Sequence, residues 1–99
     1  MENDINILSK EKIKIKKPKN YKVIMKNDDF TTMEFVVSIL EDIFNKTFNQ
    51  ANEIMIEVHQ KGYGVAGVYP YDIAVSKVNK VNRLASEEGF PFKLLVEEE

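Results

Sequence analysis

The sequence predicts an α+β domain, a three-stranded sheet covered by helices, in the order strand, helix, helix, strand, helix, strand. Three observations predict it. Apolar side chains alternate with polar ones in residues 20–26 and 91–97, the period of a half-buried strand. Apolar residues recur every three or four positions in three stretches between them, the period of a helix with one buried face. Glycines, a proline and an Asn/Asp cluster separate these stretches.

In the first strand, residues 20–26, Tyr21, Val23 and Met25 alternate with Lys22, Ile24 and Lys26. Asn27-Asp28-Asp29 ends it, because short polar side chains bond to nearby backbone and favour turns. Thr31-Thr32-Met33-Glu34 reads as a capping box, with threonine at the cap and glutamate three residues on. A helix follows to about Lys46, its broad apolar face carrying Val36, Val37, Ile39, Leu40, Ile43 and Phe44. The second helix, about 50–60, takes Asn49 as N-cap and turns Ala51, Ile54, Met55 and Val58 to one side. Gly62 suits the left-handed position just past its end. Residues 63–69 read as a second strand, loosened by Gly64 and Gly67 and ended by Pro70. A third helix, about 71–88, turns Ile73, Ala74, Val78, Val81 and Ala85 inward, and Gly89 stops it. Residues 91–97 form the last strand, with Phe92, Leu94 and Val96 on one face.

Composition narrows the chemistry. The 99 residues suffice for one small domain and not for two. Without cysteine there is no disulfide, thiolate nucleophile or Cys-based zinc site. No apolar run is long enough for a membrane helix, and the first residues lack the apolar core of a signal peptide. The single histidine, His59, is the one candidate for any triad or His-containing metal site. Ser38 and Ser76 have no nucleophile context, and no phosphate loop or HExxH word is present.

Charge divides the chain in two. Residues 1–19 carry six lysines against Glu2, Asp4 and Glu11, a net of +3. Residues 20–99 carry 8 basic and 13 acidic side chains, a net of −5. Residues 1–19 read as a flexible basic arm, with the alternation of Lys12 to Lys16 as a heavily charged edge strand at most. The acidic body, residues 20–99, offers nucleic acid no basic face.

Asn27, Asp28 and Asp29 sit on a turn feeding a helix that begins near Met33, while Met55 and His59 lie one turn apart on another helix. If those helices pack side by side, polar acceptors meet a methionine-lined apolar surface. Such a site suits a small cation attached to an apolar group. Taken alone, the same residues also read as an ordinary turn, a helix-end histidine and core methionines. A divalent-metal or small-ligand regulatory domain using the Asn27-Asp28-Asp29 turn is the alternative, although adjacent carboxylates lack the ligand spacing of known calcium loops.

At this point the chain resembles a known family. Tyr21-Lys22-Val23-Ile24, Asn27-Asp28-Asp29-Phe30-Thr31 and Met33-Glu34-Phe35-Val36-Val37 are followed by Ile54-Met55, Val58-His59, Gly62 and Gly67-Val68-Tyr69. With Ala74, Lys77-Val78, Gly89 and Pro91, these words resemble ClpS, the adaptors that pass N-degron substrates to a ClpA- or ClpC-type AAA+ unfoldase. The resemblance runs from Pro18 to Pro91. It implies a small sandwich of a three-stranded antiparallel sheet and three helices. It implies a binding protein without catalytic residues or cofactor, expected to act in the cytoplasm as a monomer, and not on nucleic acid or membranes. The ligand would be the N-terminal residue of a substrate protein, typically Leu, Phe, Tyr or Trp. Asn27, Asp28 and His59, with Asp29 beside them, would hold its free α-amino group. Thr31, Met33, Val36, Met55, Val58 and Phe92 would form the side-chain pocket, with Met33 as gatekeeper against β-branched residues. The surface around Asp72 and Lys77 would dock on the unfoldase N-terminal domain, and the arm would assist delivery. Three positions depart from the family pattern: Thr32 replaces a common proline, Phe92 a common aliphatic residue, and Asp72 a longer acid.

Overall fold

A computed structural model describes residues 19–99. The predicted order holds: β1 (Asn20–Lys26), α1 (Met33–Asp42), α2 (Phe48–Lys61), β2 (Tyr63–Pro70), α3 (Tyr71–Glu88) and β3 (Lys93–Glu98). The strands form one antiparallel sheet in the order β2-β1-β3, so the first strand is central. The expected basic arm lies outside the described residues except for Lys19, whose ammonium stands 3.1 Å from Glu98.

The alternation in β1 sets the two faces of the sheet. Val23 and Met25 are fully buried beneath the helices, flanked on β3 by Val96 and Leu94. The other face carries Lys22, Ile24 and Lys26 with Val65 and Leu95. On β2 the register slips at Ala66 between the partners of Val23 and Ile24. This bulge lets Gly64, Ala66 and Tyr69 all turn toward the helices despite unequal spacing.

Helix α3 crosses all three strands on the covered face, and α2 packs on β2 and α1. The buried stripe of α3 is Ala74, Val78, Val81 and Ala85. Ile73, expected inward, is 44% exposed, because one residue before Ala74 it turns about 100° away from that stripe. Leu40, Ile39, Ile43 and Phe44 complete a core in which no polar side chain among the described residues is buried. Each large side chain so removed from water contributes roughly 1.5–3 kcal/mol.

The helix ends differ from expectation, each for a local reason. The cap of α1 is Thr32, not Thr31: the Thr32 hydroxyl accepts from Phe35 N–H at 3.1 Å, while Thr31 is engaged by Asp28. Helix α1 stops at Asp42 instead of near Lys46, because Asn45 turns left-handed (φ 55°) and Lys46 N–H reaches back to Leu40 O at 3.0 Å. Helix α2 starts at Phe48, capped by Thr47 rather than Asn49, in a full capping box with Gln50. Gly62 and Gly89 end α2 and α3 left-handed, as their positions predict. Strand β3 starts at Lys93, two residues later than expected.

Two glycines of β2 allow close approach. A Cβ on Gly67 would meet the Tyr69 ring. A Cβ on Gly64 would stand 2.8 Å from Val58 Cγ2 and 3.5 Å from the backbone oxygen of Ile54. Gly64 thus lets α2 lie directly on β2. Gly64→Ala is expected to lower unfolding stability by about 1–3 kcal/mol in urea denaturation, the usual penalty for overpacking. An unchanged midpoint would mean that α2 shifts freely.

Candidate functional site

The candidate site forms where the loop after β1 meets the end of α2. Asn27 N–H donates to Gly62 O at 2.9 Å, and Gly62 N–H donates to Val58 O at 2.9 Å. The first bond fastens the loop to the residue just past α2, three positions after His59. Asp28 then folds the loop on itself. Its Oδ1 accepts from Phe30 N–H at 2.8 Å and Thr31 N–H at 2.7 Å, and its Oδ2 accepts from the Thr31 hydroxyl at 2.7 Å. The chain emerges pointed into α1, with Met33 in its first position and Val36 one turn later.

Between loop and helices lies a recess of about 240 Å³. Asn27, Asp28, Asp29 and Thr31 form its polar side. Met33 and Val36 from α1 face Met55, Val58 and His59 from α2. These nine are the residues expected from the sequence for amine and pocket, with one exception. Phe92 does not line the recess. It is 5% exposed and sits in the core, its ring edge-on to Phe35 at 6.2 Å, because the strand parity that buries Leu94 also turns Phe92 inward. Met33 is half exposed at the mouth, whereas Val36 and Val58 are buried at the base.

The recess favours a cation. Two carboxylates and a histidine line it, and no lysine or arginine does. Burial alone would raise the Asp28 carboxyl, but the bonds from Thr31 and Phe30 prevail and hold it below the usual carboxylate range. At neutral pH this carboxylate is charged, and its internal bonds leave acceptor capacity on Oδ2. The apolar remainder of the recess suits an aliphatic or aromatic side chain, and methionines adapt to its shape. Among the described residues no group of three or more His, Cys, Asp or Glu side chains is arranged to hold a metal ion.

The residues expected to dock a partner are not brought together. Asp72 is exposed in the first turn of α3. Lys77, five residues on, faces about 140° away around the helix. Its ammonium turns inward, donating to Ile43 O at 2.6 Å over the rings of Tyr69 (5.1 Å) and Phe44 (5.8 Å). Lys77 therefore ties α3 to Ile43, the residue that caps the end of α1, satisfying a carbonyl left free there. Sequence reasoning missed this tie and the part of Gly64 in seating Val58; a strand glycine opposite a helix was the available signal for the second.

Residues 16–95 match the family model "ATP-dependent Clp protease adaptor protein ClpS". The ClpS adapter of Clostridium acetobutylicum is 56% identical over 89 residues, covering 90% of this chain and 88% of its own. That of Wolinella succinogenes is 47% identical over 96 residues, covering 97% and 94%. The structure of Agrobacterium tumefaciens ClpS2 bound to L-phenylalaninamide superposes with a TM-score of 0.80 at 36% identity, over 84% of this chain and all of that one. With this fold, and with a family match that spans nearly all of the described residues, the chain belongs to the ClpS family of Clp protease adaptors.

Proposed function

We propose that the recess captures the N-terminal residue of an N-degron substrate and that the protein delivers that substrate to a ClpA- or ClpC-type unfoldase in the cytoplasm. The observation that carries this reading is the pairing, in one recess, of cation acceptors (Asn27, Asp28, His59) with a methionine-lined apolar wall (Met33, Met55). The ligand of the Agrobacterium relative has the matching chemistry: a free α-amine beside a bulky aromatic side chain, with its carboxyl masked as an amide.

Binding requires no bond to break. The substrate's α-ammonium donates to the Asn27 and Asp28 oxygens and to a ring nitrogen of His59, with Asp29 adding negative potential. Its side chain, Leu, Phe, Tyr or Trp, enters between Met33, Val36, Met55 and Val58, with Thr31 at the rim. Burying that side chain is worth roughly 1.5–3 kcal/mol. Charge-assisted hydrogen bonds add roughly 1.5–3 kcal/mol each. After the costs of association, affinity falls near micromolar, on the order of −8 kcal/mol. Docking on the unfoldase N-terminal domain falls to the exposed surface around Asp72, with Lys77 supporting it from within. The basic arm, residues 1–19, assists delivery.

Fluorescence titration tests the capture step. Phe- or Leu-initiated peptides bind, and their N-acetylated forms lose at least about tenfold, because acetylation removes the charge and leaves Asp28 facing a methyl group. Equal affinity of the two forms would sink the proposal.

The lowered Asp28 carboxyl sets an acid limit. A carboxylate whose folded-state pKa is depressed contributes stability that is present above its unfolded value, about 3.9, and lost as the pH falls through the folded value. The Phe30 and Thr31 amide resonances are expected to titrate together with a midpoint below about 3.9. A midpoint above it would show that the three bonds to Asp28 do not hold the loop.

Docking is tested by pull-down on an isolated ClpA- or ClpC-type N-terminal domain. Asp72→Lys is expected to weaken capture severalfold with unchanged thermal stability. Lys77→Ala is expected to lower stability by about 1 kcal/mol through loss of the Ile43 bond. Unaltered capture by Asp72→Lys would move the docking surface elsewhere.

A further inference from the structure

A second recess, of about 480 Å³, opens on the other side of the Asn27–Asp29 loop. Phe30, Pro91 and Leu95 supply its apolar wall, and Lys26 and Lys93 its rim. Phe30 is 74% exposed and Leu95 49%, large apolar surfaces that the fold does not cover. Leu95 and Lys93 belong to the sheet face that no described helix packs against. The loop residues Asn27, Asp28 and Asp29 line both recesses, so the two are adjacent walls of one ridge.

We infer that this second recess is a subsite for the side chain of the second or third residue of the same substrate peptide. The inference rests on the capture reading above. A peptide whose amine is held by Asn27 and Asp28 must leave the first recess at that ridge. Each extended residue advances it by about 3.3–3.6 Å, so the second and third residues follow within about 7 Å of the first, beside the shared loop. The occupant is a bulky apolar side chain: Phe30 and Leu95 offer it apolar contact, and Lys26 and Lys93 can lay their aliphatic stems along it. The internal bonds of Asp28 keep the ridge rigid, so ordering it costs the ligand little.

The test compares three ligands by titration: phenylalaninamide, a Phe-initiated peptide with alanines at positions two and three, and one with leucine there. The leucine peptide is expected to bind about five- to tenfold tighter than the alanine peptide. Phe30→Ser and Leu95→Lys, both at exposed positions, are each expected to abolish that gain while leaving phenylalaninamide affinity unchanged. Equal binding of the two peptides, or a gain that survives both substitutions, overturns the subsite while phenylalaninamide binding still supports the capture site. Loss of phenylalaninamide binding in both variants also overturns it, because Phe30 and Leu95 would then shape the first recess. Failure of all three ligands with the unaltered protein overturns the capture reading, and the subsite with it.

Discussion

The hydrogen bond from Asn27 N–H to Gly62 O carries more of the architecture than its 2.9 Å suggests. It joins the end of the central strand to the end of α2, two points 35 residues apart in sequence. It is possible because Gly62 takes a left-handed conformation (φ 90°) that ends α2 and exposes its carbonyl to the loop. That bond holds the Asn27–Asp29 loop beside the end of α2, where His59 stands across the recess. The recess is therefore a seam between two local structures, joined by a backbone bond and shaped by the internal bonds of Asp28.

Asp28 shows how one carboxylate can close a loop and also line a recess. Its three internal bonds close the loop and direct the chain into α1, whose own cap is supplied separately by Thr32. The same bonds keep it ionised at neutral pH. Gly64 acts from beneath. By bearing no Cβ it lets Val58, one of the residues lining the recess, rest directly on the sheet. The absence of cysteine and the lone histidine are compatible with a family of adaptors.

Lys77 illustrates how a resemblance and a structure can weight the same residue differently. By family likeness it belongs to a docking surface. In the structure its ammonium is committed to Ile43 O and two aromatic rings, with Gly67 making room for Tyr69. A lysine so engaged has little charge to offer a partner directly. Asp72, exposed one turn and a half earlier, retains that capacity.

Much of this was legible in the sequence. Alternation in β1 and β3, three-to-four periodicity in the helices, and glycines past two helix ends are local signals, and each produced its element in the right order. The family words gathered Asn27, Asp28, Thr31, Met33, Met55, Val58 and His59 as one site before any geometry was known. What the sequence left open depends on contacts between distant segments. Either of two adjacent threonines can cap α1; the capture of Thr31 by Asp28 decided for Thr32. Asn45 gives no local sign that it will turn left-handed and end α1 early. Phe92 carries the right character for a pocket wall, yet sheet parity sends it into the core against Phe35. The direction of Lys77 and the neighbouring recess beside Phe30 likewise follow only once strand, loop and helix are placed in space. Local chemistry determined which elements form and which residues could bind; packing decided which of them meet.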